Sequence, residues 1–118
     1  MRKTIAEIMR DVSVKPGTKP KKIANNTMMY TAPDDSVRYR LHRTDVVIKY
    51  PNGIVELNSG GYKGYTTKDR INSCAPIARL YQKDFEWFVS IVKDNGFHAD
   101  LEFYDGMKIG PDGRLVEG

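Results

Sequence analysis

The residue types best suited to chemistry gather in one stretch, Asn58-Ser59-Gly60-Gly61-Tyr62-Lys63-Gly64-Tyr65, followed by Thr66-Thr67-Lys68-Asp69-Arg70-Ile71-Asn72. Glycines let backbone amides approach a ligand closely, and a helix starting at Thr66 or Thr67 offers its unpaired N–H groups to an anion. In that reading Ser59, Gly60 and Gly61 contribute short-range donors, and Thr66 and Thr67 stand at the helix start. Lys63, Lys68 and Arg70 neutralise phosphate, Tyr62 or Tyr65 stacks a base, and Arg40 and His42 line the rim. The spacing fits neither the dinucleotide fingerprint nor the P-loop. The competing reading is purely architectural: a tight turn, tyrosines that complete a core, and threonines that only cap a helix.

Other groupings are less complete. His42-Arg43-Thr44 has the His-x-Thr form that two-histidine phosphoesterases use in pairs, one imidazole as base and the other as acid. The second histidine, in His98-Ala99-Asp100, lacks the hydroxyl, so this remains the enzyme alternative to a non-enzymatic protein. Cys74, with no histidine near it in sequence, reads as a small buried apolar residue. Asp34-Asp35 reads as a turn, and Asp105-Gly106-Met107 as a turn with a core methionine. One cysteine and two histidines exclude an intramolecular disulfide and a standard zinc cluster, and no metal or cofactor is expected.

The elements that must position these residues follow from periodicity. Thr4-Ile5-Ala6-Glu7 has the form of a capping box, and Ile5, Ile8, Met9 and Val12 share one helical face, which predicts an amphipathic helix over residues 4–13. Pro16-Gly17 and Pro20 break it, and residues 15–22 read as a Lys-rich linker. Residues 25–36 read as polar chain closed by a Pro33-Asp34-Asp35 turn. Val37, Tyr39 and Leu41 alternate with Arg38, Arg40 and His42, a half-buried strand with a basic outer face. The runs 46–50 and 54–57 flank Pro51-Asn52-Gly53, a type I turn with Gly53 as the left-handed residue of a bulged hairpin.

A short helix is expected near residues 67–74, with Thr66 or Thr67 as N-cap and Pro76 as its stop. Residues 85–92 fit either a helical face or a strand; their aromatic and β-branched content favours strand, with Lys83-Asp84 as the hairpin turn. Residues 101–104 complete the strands. The expected fold class is α+β: a mainly antiparallel sheet over residues 37–110, one short helix and an N-terminal amphipathic helix. Residues 1–22 are the helix and basic linker, and residues 23–118 a single domain. A chain of 118 residues suits one domain, and its exposed strand edges favour a homo-oligomer.

The net charge of +4 suggests nucleic acid until it is divided along the chain: residues 1–22 contribute +5 and the remainder −1. Mean hydropathy is −0.54, and no run approaches the roughly 20 apolar residues of a membrane span, so a cytoplasmic location without membrane contact is expected.

Leu41-His42-Arg43-Thr44-Asp45-Val46-Val47, the Asn58-Ser59-Gly60-Gly61-Tyr62 loop, Thr66-Thr67-Lys68-Asp69-Arg70-Ile71-Asn72, and Tyr81-Gln82-Lys83 with Trp87 resemble a pattern recurrent in small bacteriophage-encoded proteins. It runs over residues 37–109 and centres on Ser-Gly-Gly-aromatic followed by Thr-Thr-Lys-x-Arg-Ile-Asn. The resemblance implies a phage context, hence the host-cell cytoplasm, and a counter-defence role; it brings no active site with it. Together with the glycine loop it leads to the expectation of a non-enzymatic protein that sequesters a small anionic nucleotide, a host immune signal. Two alternatives stand beside it: a nucleic-acid module using the N-terminal arm and the Arg38/Arg40/Arg43 face, and an inhibitor of a host protein.

Overall fold

The computed structural model describes Lys15 and residues 19–61, 63–75, 78–92 and 98–116. They form ten strands and one helix: β1 (Lys21–Ala24), β2 (Thr27–Thr31), β3 (Val37–Leu41), β4 (Thr44–Lys49), β5 (Val55–Leu57), α1 (Tyr65–Cys74), β6 (Ala78–Lys83), β7 (Glu86–Val92), β8 (His98–Glu102), β9 (Met107–Ile109) and β10 (Leu115–Val116). The expected α+β class is therefore corrected to a mainly β protein with one short helix. The expected helix over residues 4–13 lies outside the described residues.

Seven strands make one antiparallel sheet in the order β1-β2-β3-β4-β5-β9-β10, and β6-β7-β8 make a second antiparallel sheet. Because β5 pairs directly with β9, α1 and the three-stranded sheet form an excursion between neighbouring strands. That excursion folds over one face of the large sheet. Val47, Leu57, Met107 and Ile109 of the large sheet share a buried cluster with Ile71 of α1 and with Leu80, Trp87, Val89 and Ile91 of the small one. Burial of these apolar side chains is the main term holding the two layers together.

The β4–β5 hairpin has the expected turn. The Gly53 N–H donates to the Tyr50 carbonyl at 3.0 Å, the Tyr50 N–H to that of Ile54 at 2.8 Å, and Gly53 has φ +91°. Residues 86–92 are strand, as the composition of this stretch favours, with Trp87, Val89 and Ile91 facing the core, while Phe85 belongs to the turn. The two-residue turn is Asp84-Phe85, one position later than expected, because Lys83 pairs with Glu86. The large sheet also begins earlier than expected. β2 went unrecognised because Thr27, Met28 and Tyr30 are all buried, so the strand shows no alternation. β1 starts inside the stretch read as linker, and the Lys15 N–H donates to the Thr31 carbonyl at 2.9 Å.

A β-bulge separates the Tyr39–Val47 and Arg40–Asp45 pairs, leaving Val46 as the additional residue. The bulge explains why the consecutive Val46 and Val47 both enter the core cluster, whereas Ile48, which follows them, is buried outside it. It also brings Asp45 opposite Arg40.

Candidate functional site

A cavity of about 340 Å³ lies where the β3–β4 turn meets the start of α1. Leu41 and Val46 are its buried apolar residues, and His42, Arg43, Thr44, Ser59, Thr66 and Thr67 complete the lining. His42 is held at φ +55°, in the left-handed region that few non-glycine residues adopt, with its N–H donating to the Asn26 carbonyl at 2.9 Å. The turn therefore presents His42 and Arg43 together. Arg43 forms no ion pair among the described residues.

The helix contributes through its backbone. Its N-cap is Gly64, in an extended conformation with no side-chain cap, which corrects the expectation of Thr66 or Thr67 as the capping hydroxyl. An offset of two to three residues places both threonines inside the helix, where they line the cavity. Lys68 makes the first helical bond, N–H to the Gly64 carbonyl at 3.1 Å, so the amides of Tyr65, Thr66 and Thr67 have no partner within the helix. No acidic residue occupies the first turn, which leaves the positive end of the helix dipole without a counter-charge of its own. At the other end Ala75 is extended, as a residue before proline prefers, and the helix stops where Pro76 requires.

Ser59 is 2% exposed, and both its N–H and its hydroxyl donate to Asp105 Oδ1 at 2.7 Å. The Gly61 N–H in turn donates to Ser59 Oγ at 3.2 Å, so that amide is already engaged. Gly60 has φ +66°, and a Cβ there would fall 2.2 Å from Thr44 Oγ1. The glycine is thus required twice, by its conformation and by the close approach of the loop to β4. Asp105 opens the turn before the core residue Met107, as the sequence suggests, and also fastens the glycine loop, a role no local motif reveals.

Of the residues singled out from the sequence, the cavity gathers His42, Ser59, Thr66 and Thr67. Lys63 sits with Nζ 5.9 Å from the Phe103 ring, and Tyr65 is 79% exposed; neither lines the cavity. Arg70 donates from Nε to Thr27 Oγ1 at 2.8 Å and pairs with Asp69 at 2.6 Å, tying α1 to β2 instead of facing the cavity. Lys68 is also absent from the lining, and Tyr62 lies outside the described residues. Arg43 and Thr44, which sequence reasoning did not place among the ligand contacts, belong to it. Their signal was adjacency to His42 in a strand-ending turn.

Arg40 belongs to a separate network. Its Nε donates to Asp45 Oδ1 at 2.9 Å, Arg38 Nη1 to Asp45 Oδ2 at 3.3 Å, and the Tyr30 hydroxyl lies 2.8 Å from both carboxylate oxygens. Arg38 also reaches Ser36 Oγ at 2.9 Å and Asp34 at 3.3 Å. Burial, then the hydrogen bond and charge of Asp45, push the Tyr30 hydroxyl well above the ordinary phenol range. Hydrogen bonds from Ser36 hold the Asp34 carboxyl below its usual value. The expected basic face of β3 is consequently ion-paired.

Cys74 is partly buried beside the core, and burial raises its thiol, which leaves it poorly suited to nucleophilic work. Among the described residues no cluster of His, Cys, Asp and Glu is placed to hold a metal ion. No helix is long and apolar enough to cross a membrane. No curated protein and no solved structure matches the chain. A family model described as Kyanoviridae Gp96 protein matches residues 1–110, nearly the whole length and well beyond the segment that carried the phage resemblance. The chain therefore belongs to the Kyanoviridae Gp96 family of phage proteins.

Proposed function

We propose that this phage protein captures a small phosphorylated nucleotide in the cavity between the β3–β4 turn and α1, without cleaving it. The observation that carries the reading is the convergence of Arg43 and His42 with the uncapped start of α1 around an apolar floor. Phosphate is matched by the guanidinium and the free helix amides, and the Thr66 and Thr67 hydroxyls add hydrogen-bonding capacity. Leu41 and Val46 suit the apolar face of a base. The volume of about 340 Å³ is at the lower end for ligand sites, which favours one nucleotide unit over an extended oligomer.

The lining supports capture without turnover: among the described residues His42 is the one ordinary general acid–base group in it, with no carboxylate or second histidine lining the cavity beside it. Sequestering a host signal is the phage role consistent with such a site. The nucleic-acid alternative is weakened because Arg38 and Arg40 are already held by Asp45. Native mass spectrometry of the protein purified from infected, signal-producing cells should show an added mass that heat releases as an intact nucleotide. Recovery of only ligand-free protein, together with no calorimetric response to nucleoside mono- and diphosphates, would remove the proposal. A cleaved product dependent on His42 would replace it with the phosphoesterase reading.

A further inference from the structure

The small sheet has a second face. Trp87, Val89 and Ile91 point into the core, so Arg79, Tyr81, Phe88, Ser90, Asp100 and Glu102 lie on the outward face. The register places Arg79, Ser90 and Asp100 in one row and Tyr81, Phe88 and Glu102 in the next. Tyr81 and Phe88 stack with ring centroids 5.6 Å apart at the centre of this face. The outer strand β6 carries Arg79 and Lys83, the latter set beside the exposed Glu86 of β7, whereas the opposite outer strand β8 carries Glu102 and Asp100, the latter bonded by the Tyr81 hydroxyl. None of the four charges on β6 and β8 forms an ion pair among the described residues, although all are exposed.

From this pattern we infer that the outer face of the three-stranded sheet is a homodimer surface, packed on the same face of a second copy about a two-fold axis parallel to the strands. Rotation about that axis exchanges the two sides of the sheet while keeping height along the strands. The basic β6 of each copy then covers the acidic β8 of the other, Arg79 opposite Asp100, and the aromatic centres meet. A two-fold perpendicular to the strands, in the plane between the sheets, would set basic strand on basic strand. Charge thus selects one of the two arrangements.

The hairpin tip supplies an independent reason for a partner. Phe85 is 95% exposed at φ +67°, following Asp84 at φ +52°. A two-residue turn of this kind normally takes Asn-Gly, so a phenylalanine there carries both a backbone cost and an uncovered ring. The same rotation brings the tips of both copies to one end of the dimer. At strand and residue spacings of about 4.8 and 3.3 Å the patch measures roughly 14 by 20 Å, which corresponds to a small, dissociable interface.

The test is sedimentation velocity of the full chain over a concentration series reaching about 100 μM, where a micromolar dimer is well populated. Wild type should pass from monomer to dimer. Arg79→Glu and Asp100→Lys, each checked for an unchanged thermal melt, should each weaken self-association about tenfold or more. Mixing the two variants should restore dimerisation, because each copy then meets complementary charge on both sides. A wild type that stays monomeric throughout would overturn the inference. So would an Arg79→Glu chain that dimerises like wild type, which would point to pairing of strand edges, or a mixture of folded variants that stays monomeric.

Discussion

Arg38 and Arg40 on one side of the β3–β4 hairpin and Arg43 at its tip are close in sequence and opposite in circumstance. The first two converge on Asp45, whose side chain is 12% exposed, and share it with Tyr30. Arg43 has no such carboxylate among the described residues and opens onto a cavity with the start of α1. Both regions are cationic in the sequence, but only the second has charge to offer a ligand. The lesson is that the counter-charge distinguishes a structural cation from a binding one. Here the counter-charge was put in place by a backbone irregularity, the bulge that sets Asp45 opposite Arg40.

The contrast is broken most severely at its centre. Asp45→Ala should strand the partly buried Arg40 guanidinium and the Tyr30 hydroxyl and leave Arg38 only its Ser36 and Asp34 partners, costing about 3 kcal/mol in urea unfolding. A loss below about 1 kcal/mol would show that the network is solvated and that β3 is a free basic face after all. Next in size is Gly60→Ala, which forces a Cβ against Thr44 in the left-handed region and should cost about 1–3 kcal/mol, with the mouth of the cavity displaced. Unchanged stability and ligand response would show that the loop moves freely off β4.

Much of the large sheet was readable from local pattern. β3 alternates and the β4–β5 turn has its glycine where a left-handed residue is needed, so both were found. β2 carries no such period, because tertiary burial on both faces erases it. The helix was found but its cap was displaced: a hydroxyl at Thr66 or Thr67 is a good local signal, yet Gly64 provides the extended residue that precedes the first turn. For the site, His42, Ser59, Thr66 and Thr67 were legible as members of strand ends and loop. Lys68 and Arg70 are near in sequence but do not line the cavity, because a helix distributes neighbouring residues around its circumference, and Lys63, which precedes the helix, lies over the Phe103 ring. The Asp105 clasp spans 46 residues to Ser59 and has no local signature at all.

A smaller effect sharpens the network side through pH. The Tyr30 hydroxyl ionises later in the folded chain than in the unfolded one, so the folded state retains a proton that the unfolded state releases. Stability from this group is complete below about pH 10, the ordinary tyrosine value, and declines as pH rises above it. Tyr30→Phe should cost about 1 kcal/mol at neutral pH and flatten the alkaline fall in melting temperature. Equal slopes in the two proteins between about pH 10 and 11 would remove Tyr30 as its source.

The smallest stability effect should come from Arg43→Ala, and the smallness is the point. An exposed arginine with no carboxylate partner among the described residues contributes little to folding, so stability should shift by no more than about 0.5 kcal/mol. Nucleotide affinity should nevertheless fall about tenfold or more, since removing a charge-assisted contact to phosphate removes about 1.5–3 kcal/mol of binding. Arg40→Ala provides the matched comparison, because its guanidinium is engaged at 2.9 Å by Asp45. That variant should lose stability and change affinity only weakly. Calorimetric titration of both with the same nucleoside phosphate therefore separates the two regions. If Arg40→Ala lost the ligand and Arg43→Ala kept it, the binding cation would be the ion-paired one, and the site would have to move from the cavity to the Arg40 side of the neighbouring cleft, which Arg43 also lines, near Asn58 and Asp105.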